Sequence, residues 1–228
     1  MNLPKISFVL PTHNRLAWVG ECIQSLLDQT EKDIEIIVVN DNSTDGTKEF
    51  LDEWATQDFR VKVIHNSENQ GAGRSRNIGM KCAKAPIICV CDDDDFYPED
   101  RASATLKWFE EHPESELVNF PYIRIGYFGE HLEEFLGSEF DDKSFKENGT
   151  VNYFANPTVA FKTASGLEMG GYPPETKEQT DDVQFLHNWL ESGRKVGFDN
   201  RAFMCLHRVM PNSMMAKQRG WRPQWVTK

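Results

Sequence analysis

Four consecutive carboxylates, Asp92, Asp93, Asp94 and Asp95, stand directly behind the apolar run Ile87-Ile88-Cys89-Val90-Cys91. Such a run repels itself, and most are solvated surface loops. Placed after a strand of buried type, the same run is a candidate site for a hard divalent cation. Mg2+ and Mn2+ take carboxylate oxygen and often only one or two protein ligands, with substrate phosphates completing the shell. A cation here would relieve the repulsion and create a diphosphate site. Asp181 and Asp182 open a later helical pattern. Acids there are stabilised by the helix dipole, and a carboxylate so placed can also accept a proton. The two uses are compatible.

Three other polar clusters accompany the acids. Pro11-Thr12-His13-Asn14-Arg15 follows a β-branched run, and Asn40-Asp41-Asn42-Ser43-Thr44-Asp45-Gly46 follows another. Asn, Asp and Ser suit a turn and helix cap, which leaves Asp41 free at a strand end to accept from a nucleobase N–H. Gly71-Ala72-Gly73-Arg74-Ser75-Arg76-Asn77-Ile78-Gly79 superficially resembles a dinucleotide fingerprint. Its glycine spacing is wrong for one, and the first strand lacks a glycine-rich turn. Its arginines could face an anion or simply water.

The elements that must position these groups read as alternating strands and helices. Strands are expected at 6–10, 34–39, 61–64 and 87–91, with helical spacing over 18–27, 47–54 and 71–83 between them. That order implies βαβ units and a mainly parallel sheet covered on both faces. Ligands of such sheets bind beyond the carboxyl ends of the strands, and the clusters at 11–15, 40–46 and 92–95 all fall there. The second half is less regular. It reads as a strand at 117–124, a loop or lid at 126–149, a strand at 158–161, a helical turn at 163–169 and a helix at 181–191. No repeat or composition break divides the chain, so residues 1–228 read as one α/β unit.

The chain carries 25 Lys and Arg against 36 Asp and Glu over 228 residues, a net charge of −11. That balance argues against a general nucleic-acid binder. The segment from Arg201 to the end holds six cations and no acid, which leaves −17 on the rest. Such a basic tail, with Trp221 and Trp225, could cover a diphosphate or lie loose at the surface. Five cysteines without a leader-like start suggest free thiols in a reducing, cytoplasmic setting, with Cys89 and Cys91 as buried strand residues. No apolar run reaches a membrane-spanning length.

Taken together, these residues resemble those of the family 2 glycosyltransferases. The resemblance rests on Val9 to Arg15, Glu35 to Thr47, Asn69-Gln70-Gly71 with Arg76-Asn77-Ile78-Gly79, and Cys91 to Asp95 with Pro98. It continues more loosely through Asn156 to Lys162, Gly170-Gly171-Tyr172, Thr180-Asp181-Asp182 and His207 with Asn212-Ser213. The resemblance implies a GT-A, Rossmann-like fold, with a nucleotide-sugar half at 1–100, a smaller mixed acceptor half at 101–200 and a tail at 201–228. It implies metal-dependent, inverting transfer of a sugar from a nucleotide diphosphate donor, UDP-linked by default, to a hydroxyl. Pro11, Thr12 and Arg15 would line the nucleotide pocket, with Asp41 on the base and Gly71 and Arg76 beside base and ribose. Asp92 and Asp93 would face the donor. Asp94 would ligate Mn2+ or Mg2+, with Asp92, Asp95 or His207 as further ligands; His207 could equally be a satisfied core histidine. Asp182, or else Asp181, would be the base.

Asn40 stands where this family often has Asp, and Asp181 where it usually has Glu. The acceptor could be a glycan, a lipid-linked sugar or another hydroxyl, with a nucleic-acid acceptor the least favoured; a homo-oligomer is left open. A sugar nucleotidyltransferase is disfavoured because 11–15 contains no glycine. A non-catalytic nucleotide-sugar binder would share the pocket but lack donor turnover.

Overall fold

The computed structural model describes residues 3–135, 155–175, 180–201 and 203–210. The first half alternates β1 (Ile6–Thr12), α1 (Val19–Leu27), β2 (Ile34–Asn40), α2 (Thr47–Gln57), β3 (Val61–His65), α3 (Ala72–Cys82), β4 (Ile87–Val90) and α4 (Arg101–Glu111). Then come β5 (Leu117–Asn119), β6 (Tyr122–Ile125), β7 (His131–Phe135), a 3-10 turn (Asn156–Thr158), β8 (Ala160–Lys162), α5 (Thr163–Glu168), α6 (Asp181–Glu191), β9 (Val196–Phe198) and β10 (Leu206–Arg208).

Seven strands form the central sheet in the order β3-β2-β1-β4-β8-β5-β9. Every residue of β1 and β2 is buried, because helices cover both faces. Strand alternation sorts the side chains. Phe8 and Leu10 join Ile23 and Leu26 of α1, Leu51 of α2 and Phe109 of α4 on one face. Val9 joins Met80 of α3 and Phe185 and Trp189 of α6 on the other. Gly79 lets α3 approach closely: a Cβ there would lie 2.6 Å from Val9 Cγ1.

The parallel set β3, β2, β1 and β4 matches the expected strands within a residue or two. Three differences follow from proline and strand direction. The stretch read as one strand at 117–124 is two, in different sheets, because Pro121 supplies no N–H to carry a ladder through. The strand read at 158–161 begins later, since Pro157 sits in the 3-10 turn before β8. β8 itself runs antiparallel to β4 and β5. Part of the stretch read as a loop at 126–149 is β7, which pairs with β6 in a small second sheet of order β10-β6-β7. Residues 136–149 and the tail from 211 on lie outside the described residues.

At the amino-terminal end of the sheet, Glu35 joins three segments. Its carboxylate accepts from Ser7 Oγ (2.6 Å) and the Lys84 amide (2.6 Å) and pairs with Lys62. Burial opposes its ionisation, but these donors prevail and hold its pKa below the usual value. Its contribution is therefore full above the unfolded Glu range, near 4.3, and is lost as pH falls through the lower folded value. Glu35→Gln should cost about 2 kcal/mol at neutral pH, from the charge-assisted bonds it removes. Urea melts of the two proteins should converge on acidification below pH 4; a constant difference would exclude this origin.

Candidate active site

The carboxyl ends of β1, β2, β3 and β4 form one polar rim, and the loops that leave them are stitched together. The Asn14 amide donates to Ser43 Oγ (2.9 Å), and the Thr44 amide donates to Asn14 Oδ1 (2.8 Å). Asp45 accepts from the Leu16 amide (3.1 Å). Asn14 and Asn42 adopt left-handed backbone, φ 54° and 57°, which Asn tolerates better than most residues. Behind this seam, Pro11 and Thr12 end β1 as buried residues.

Asp41 is almost fully buried, and its carboxylate faces protein donors. It accepts from Asn66 Nδ2 (2.7 Å) and from the amides of Gln70 (2.9 Å) and Gly71 (2.8 Å). Asp41 therefore holds the loop that leads into α3 and does not stand free at the strand end, as its sequence position alone suggests. Asn66, which sequence reasoning missed, also donates to Ser75 Oγ (3.0 Å). It follows β3 as Asp41 follows β2, a positional parallel that could have found it.

Each acid of the 92–95 run has its own surroundings. Asp92 Oδ1 accepts from Arg76 Nη2 (2.7 Å), and the Asp92 amide donates to the Tyr97 hydroxyl (2.7 Å). Arg15 Nε lies 3.5 Å from Asp93 Oδ1 and 3.9 Å from Asp94 Oδ2, an ion pair without a hydrogen bond. Asp95 is buried and accepts from the Arg208 amide (2.8 Å), Cys205 Sγ (3.3 Å) and His207 Nδ1 (3.1 Å). The Arg208 guanidinium reaches the Asp94 carbonyl (3.1 Å) and Glu21 (2.9 Å). No donor among the described residues bonds the Asp94 carboxylate.

The electrostatics follow from this packing. Burial raises the Asp92 carboxyl, against the pull of Arg76. Burial likewise lifts Asp93 to about 6, opposed by Thr12 and Arg15. Asp94 is raised furthest, first by burial and then by the charges of Asp95, Asp93 and Asp92. Burial would depress the His207 imidazole, but Asp95 overrides it and holds the ring cationic, at about 9.

Among the described residues no three His, Cys, Asp or Glu side chains form a ready cation cage. The residues nevertheless fit a hard cation that takes most of its shell from phosphates and water. Asp94 is a carboxylate without a bonded donor, crowded by like charges. Asp92 has one oxygen on Arg76, and His207 has Nδ1 on Asp95. The second oxygen of Asp92 remains as a ligand, and Nε2 of His207 would become one only on losing its proton.

Asp181 and Asp182 begin α6 on the far side of Arg76. Asp181 Oδ2 is 4.0 Å from Arg76 Nη1. Asp181 Oδ1 accepts from the Asp182 amide (2.8 Å), while Asp182 Oδ1 accepts from the Val183 amide (2.8 Å) and the Thr180 hydroxyl. The structure thus gathers Arg15 with Asp93 and Asp94, Arg76 with Asp92 and Asp181, Asp95 with His207, and Asp41 with Gly71. Arg76 is 7% exposed, with protein groups around most of its guanidinium.

Sequence reasoning also missed Arg101, which lies beneath the rim at 0% exposure. Its guanidinium donates to the carbonyls of Pro157 (2.6 Å) and Val90 (2.7 Å) and sits 4.4 Å from the Tyr97 ring centroid. No carboxylate pairs with it among the described residues. It ties the end of β4 to the entrance of β8, and its only sequence signal is a cation in the first turn of a helix.

A mostly parallel sheet with one reversed strand, helices on both faces and this acidic carboxyl rim is the GT-A architecture of glycosyltransferases. The profile described as glycosyl transferase family 2 matches residues 7–166, and the chain belongs to that family. An uncharacterised glycosyltransferase of Rickettsia conorii is 33% identical over 159 residues, 70% of this chain and 26% of that protein. Glycosyltransferase GlyG of Streptococcus pneumoniae is 37% identical over 117 residues, 51% of this chain and 39% of that one. The chain spans well under half the length of these curated relatives. Among solved structures, S. aureus TarS in complex with UDP-GlcNAc superposes with a TM-score of 0.76 at 20% identity, over 93% of this chain and 60% of TarS. The mannosyltransferase PcManGT of Pyrobaculum calidifontis, in complex with GDP-Man and Mn2+, superposes with a TM-score of 0.72 at 19% identity, over 95% and 60%. These likenesses show the fold. No helix among the described residues is long and apolar enough to cross a membrane.

Replacing Arg101 by Met would keep the volume but leave buried carbonyls without a donor, at about 1–3 kcal/mol each. Arg101→Met should lower the melting temperature by roughly 10 °C, since 1 kcal/mol is worth about 2–4 °C at this size. A shift under about 2 °C would show that these carbonyls find other partners.

Proposed function

We propose that the chain is the donor-binding and catalytic unit of a metal-dependent, inverting glycosyltransferase. It would move a sugar from a nucleotide diphosphate donor, UDP-linked by default, to an acceptor hydroxyl. The observation that carries this reading is one charge cluster on the carboxyl rim. Asp94 lies there without a bonded donor beside Arg15, and Asp181, which precedes Asp182 at the start of α6, approaches the same cluster across Arg76.

A bound Mn2+ or Mg2+ would supply positive charge to the departing diphosphate. Asp94 would hold it, with Asp92 or His207 as second ligand. Arg15 would add charge at the same end as a preorganised electrostatic contribution. Asp182, at the first turn of α6, would take the hydroxyl proton on the opposite face of the sugar, an effect worth about 10²–10⁴-fold. The acceptor would be a hydroxyl of a glycan, a lipid-linked sugar or another carrier.

Calorimetric titration with UDP and GDP, with Mn2+ and with EDTA, tests the donor side. Tight binding should require the metal in the wild type and be lost in Asp94→Ala. Metal-independent affinity, unchanged in that variant, would remove Asp94 from the metal site. Asp182→Asn should retain nucleotide affinity while slow hydrolysis of the donor, and transfer, fall by at least about 10²-fold. Turnover within a few-fold of wild type would place the base elsewhere. A chain that binds nucleotide but never hydrolyses a donor would instead be a non-catalytic binder.

A further inference from the structure

Arg76 lies on α3 in the donor half, yet its contacts reach both halves of the chain. Its Nη2 bonds Asp92 behind β4 at 2.7 Å, and its Nη1 lies 4.0 Å from Asp181 at the start of α6. The guanidinium carbon sits 5.2 Å from the Tyr172 ring centroid. With its amide oxygen turned toward Arg76, Asn156 accepts from Nε (3.3 Å) and Nη2 (3.2 Å). The same turn leaves the Asn156 amide nitrogen to donate to the Tyr172 hydroxyl (2.9 Å). The next residue, Asn77, grips the Tyr172 backbone from both sides. It donates to the Tyr172 carbonyl (2.8 Å) and accepts from the Tyr172 amide (2.7 Å).

The neighbouring turn of α3 is shaped for the same contact. Gly73 faces Asp181, and a Cβ there would run into its carboxylate, with Cγ only 2.9 Å away. One helix face thus carries a cation for Asp181, an amide for the Tyr172 turn and a gap where Asp181 fits.

We infer that Arg76 is a positioning residue that latches the first turn of α6, and with it Asp182, to the acid loop behind β4. Arg76 therefore acts on transfer through two carboxylates, not by touching the base or ribose. The inference rests on the reading of Asp182 as base. Its physical reason is geometric: the nucleophile's base and the leaving group's cation belong to segments about 90 residues apart, and misplacement by about 1 Å can cost 10²-fold in rate. Asp181 becomes the latch point and Asp182 the group that is delivered.

The test separates rate from donor affinity, using UDP as the probe for binding and donor hydrolysis for turnover. Arg76→Lys keeps the charge but lacks the planar fork that spans both acids. It should lower kcat by about 10-fold or more while the UDP Kd stays within about 3-fold. Gly73→Ala fills the gap for Asp181 while adding a better helix former, so it guards against a variant that simply fails to fold. It should show the same split, with an unchanged or higher melting temperature. Asp181→Asn should also lower kcat, yet cost little more in the Arg76→Lys background, since both changes break one latch.

Loss of UDP affinity in parallel with kcat in Gly73→Ala, whose added Cβ meets Asp181 and not Asp92, would overturn the inference. Normal kcat in Gly73→Ala, or additive effects of Arg76→Lys and Asp181→Asn, would overturn it as well. Should the wild type bind neither UDP nor GDP, the transferase reading itself fails, a result distinct from these.

Discussion

Four adjacent carboxylates held partly out of water are the constraint around which this structure is organised. Two unit charges 4 Å apart repel by about 4 kcal/mol at an effective dielectric of 20, so the run cannot ionise together without help. The chain answers each acid separately and from distant segments. Asp92 is met by Arg76 of α3, Asp93 by Arg15 of the β1–α1 loop, and Asp95 by His207 and the Arg208 amide of β10. Asp94 has no bonded donor and is crowded by three charges of its own sign, with Arg15 no nearer than 3.9 Å. The place where a further positive charge gains most is therefore set by which acids already have partners.

The same demand explains why the small second sheet docks where it does. β10 would otherwise be a three-residue strand with little apolar surface to bury. Asp95 fixes its backbone at Arg208, and the Phe96–Leu206 bridge continues the contact. Arg208 then reaches across to Glu21 of α1 and stacks 4.7 Å from Trp18. Beneath, Arg101 holds the strand ends by their carbonyls. The acid loop is thus clamped from the helix side, the sheet side and below. Preorganisation of this kind is what lets fixed charges act on a reaction without rearranging during it.

How much of this is legible in the sequence depends on whether the signal is local. The strands β1 to β4 are legible because buried parallel strands are continuous apolar runs, and the helices between them show 3.6-residue spacing. The carboxyl-end rule then places 11–15, 40–46 and 92–95 on one rim. The helix Asp181–Glu191 is read to the residue, since its acids and apolar face agree. The direction of β8 is not legible, because a three-residue strand looks alike in either orientation. β9 and β10 are too short to show a period. Asp41 reads as a free strand-end acid because its partners, Asn66, Gln70 and Gly71, come from the next loop. The partners of Arg76 are hidden for the same reason: Asp92 and Asp181 are distant in sequence, and only the fold brings them to it.

The charge arithmetic gains its meaning only at this level. A net −11 could be spread over the surface with little consequence, but here part of it is concentrated where ionisation opposes folding. Carboxyls whose pKa is raised by burial, as those of Asp92, Asp93 and Asp94 are, favour the unfolded chain when they are charged at neutral pH. The β-sheet core and the buried arginines must offset that opposition for the fold to exist at all. In the proposed reaction, a cation and the diphosphate it carries would remove the same opposition on binding. On that reading, part of the donor affinity would be electrostatic opposition already present in the folded chain and released, in addition to contacts newly made. That arrangement would link stability to occupancy: the interactions that make the acid loop costly to fold are the ones that would favour a ligand bearing its own positive charge.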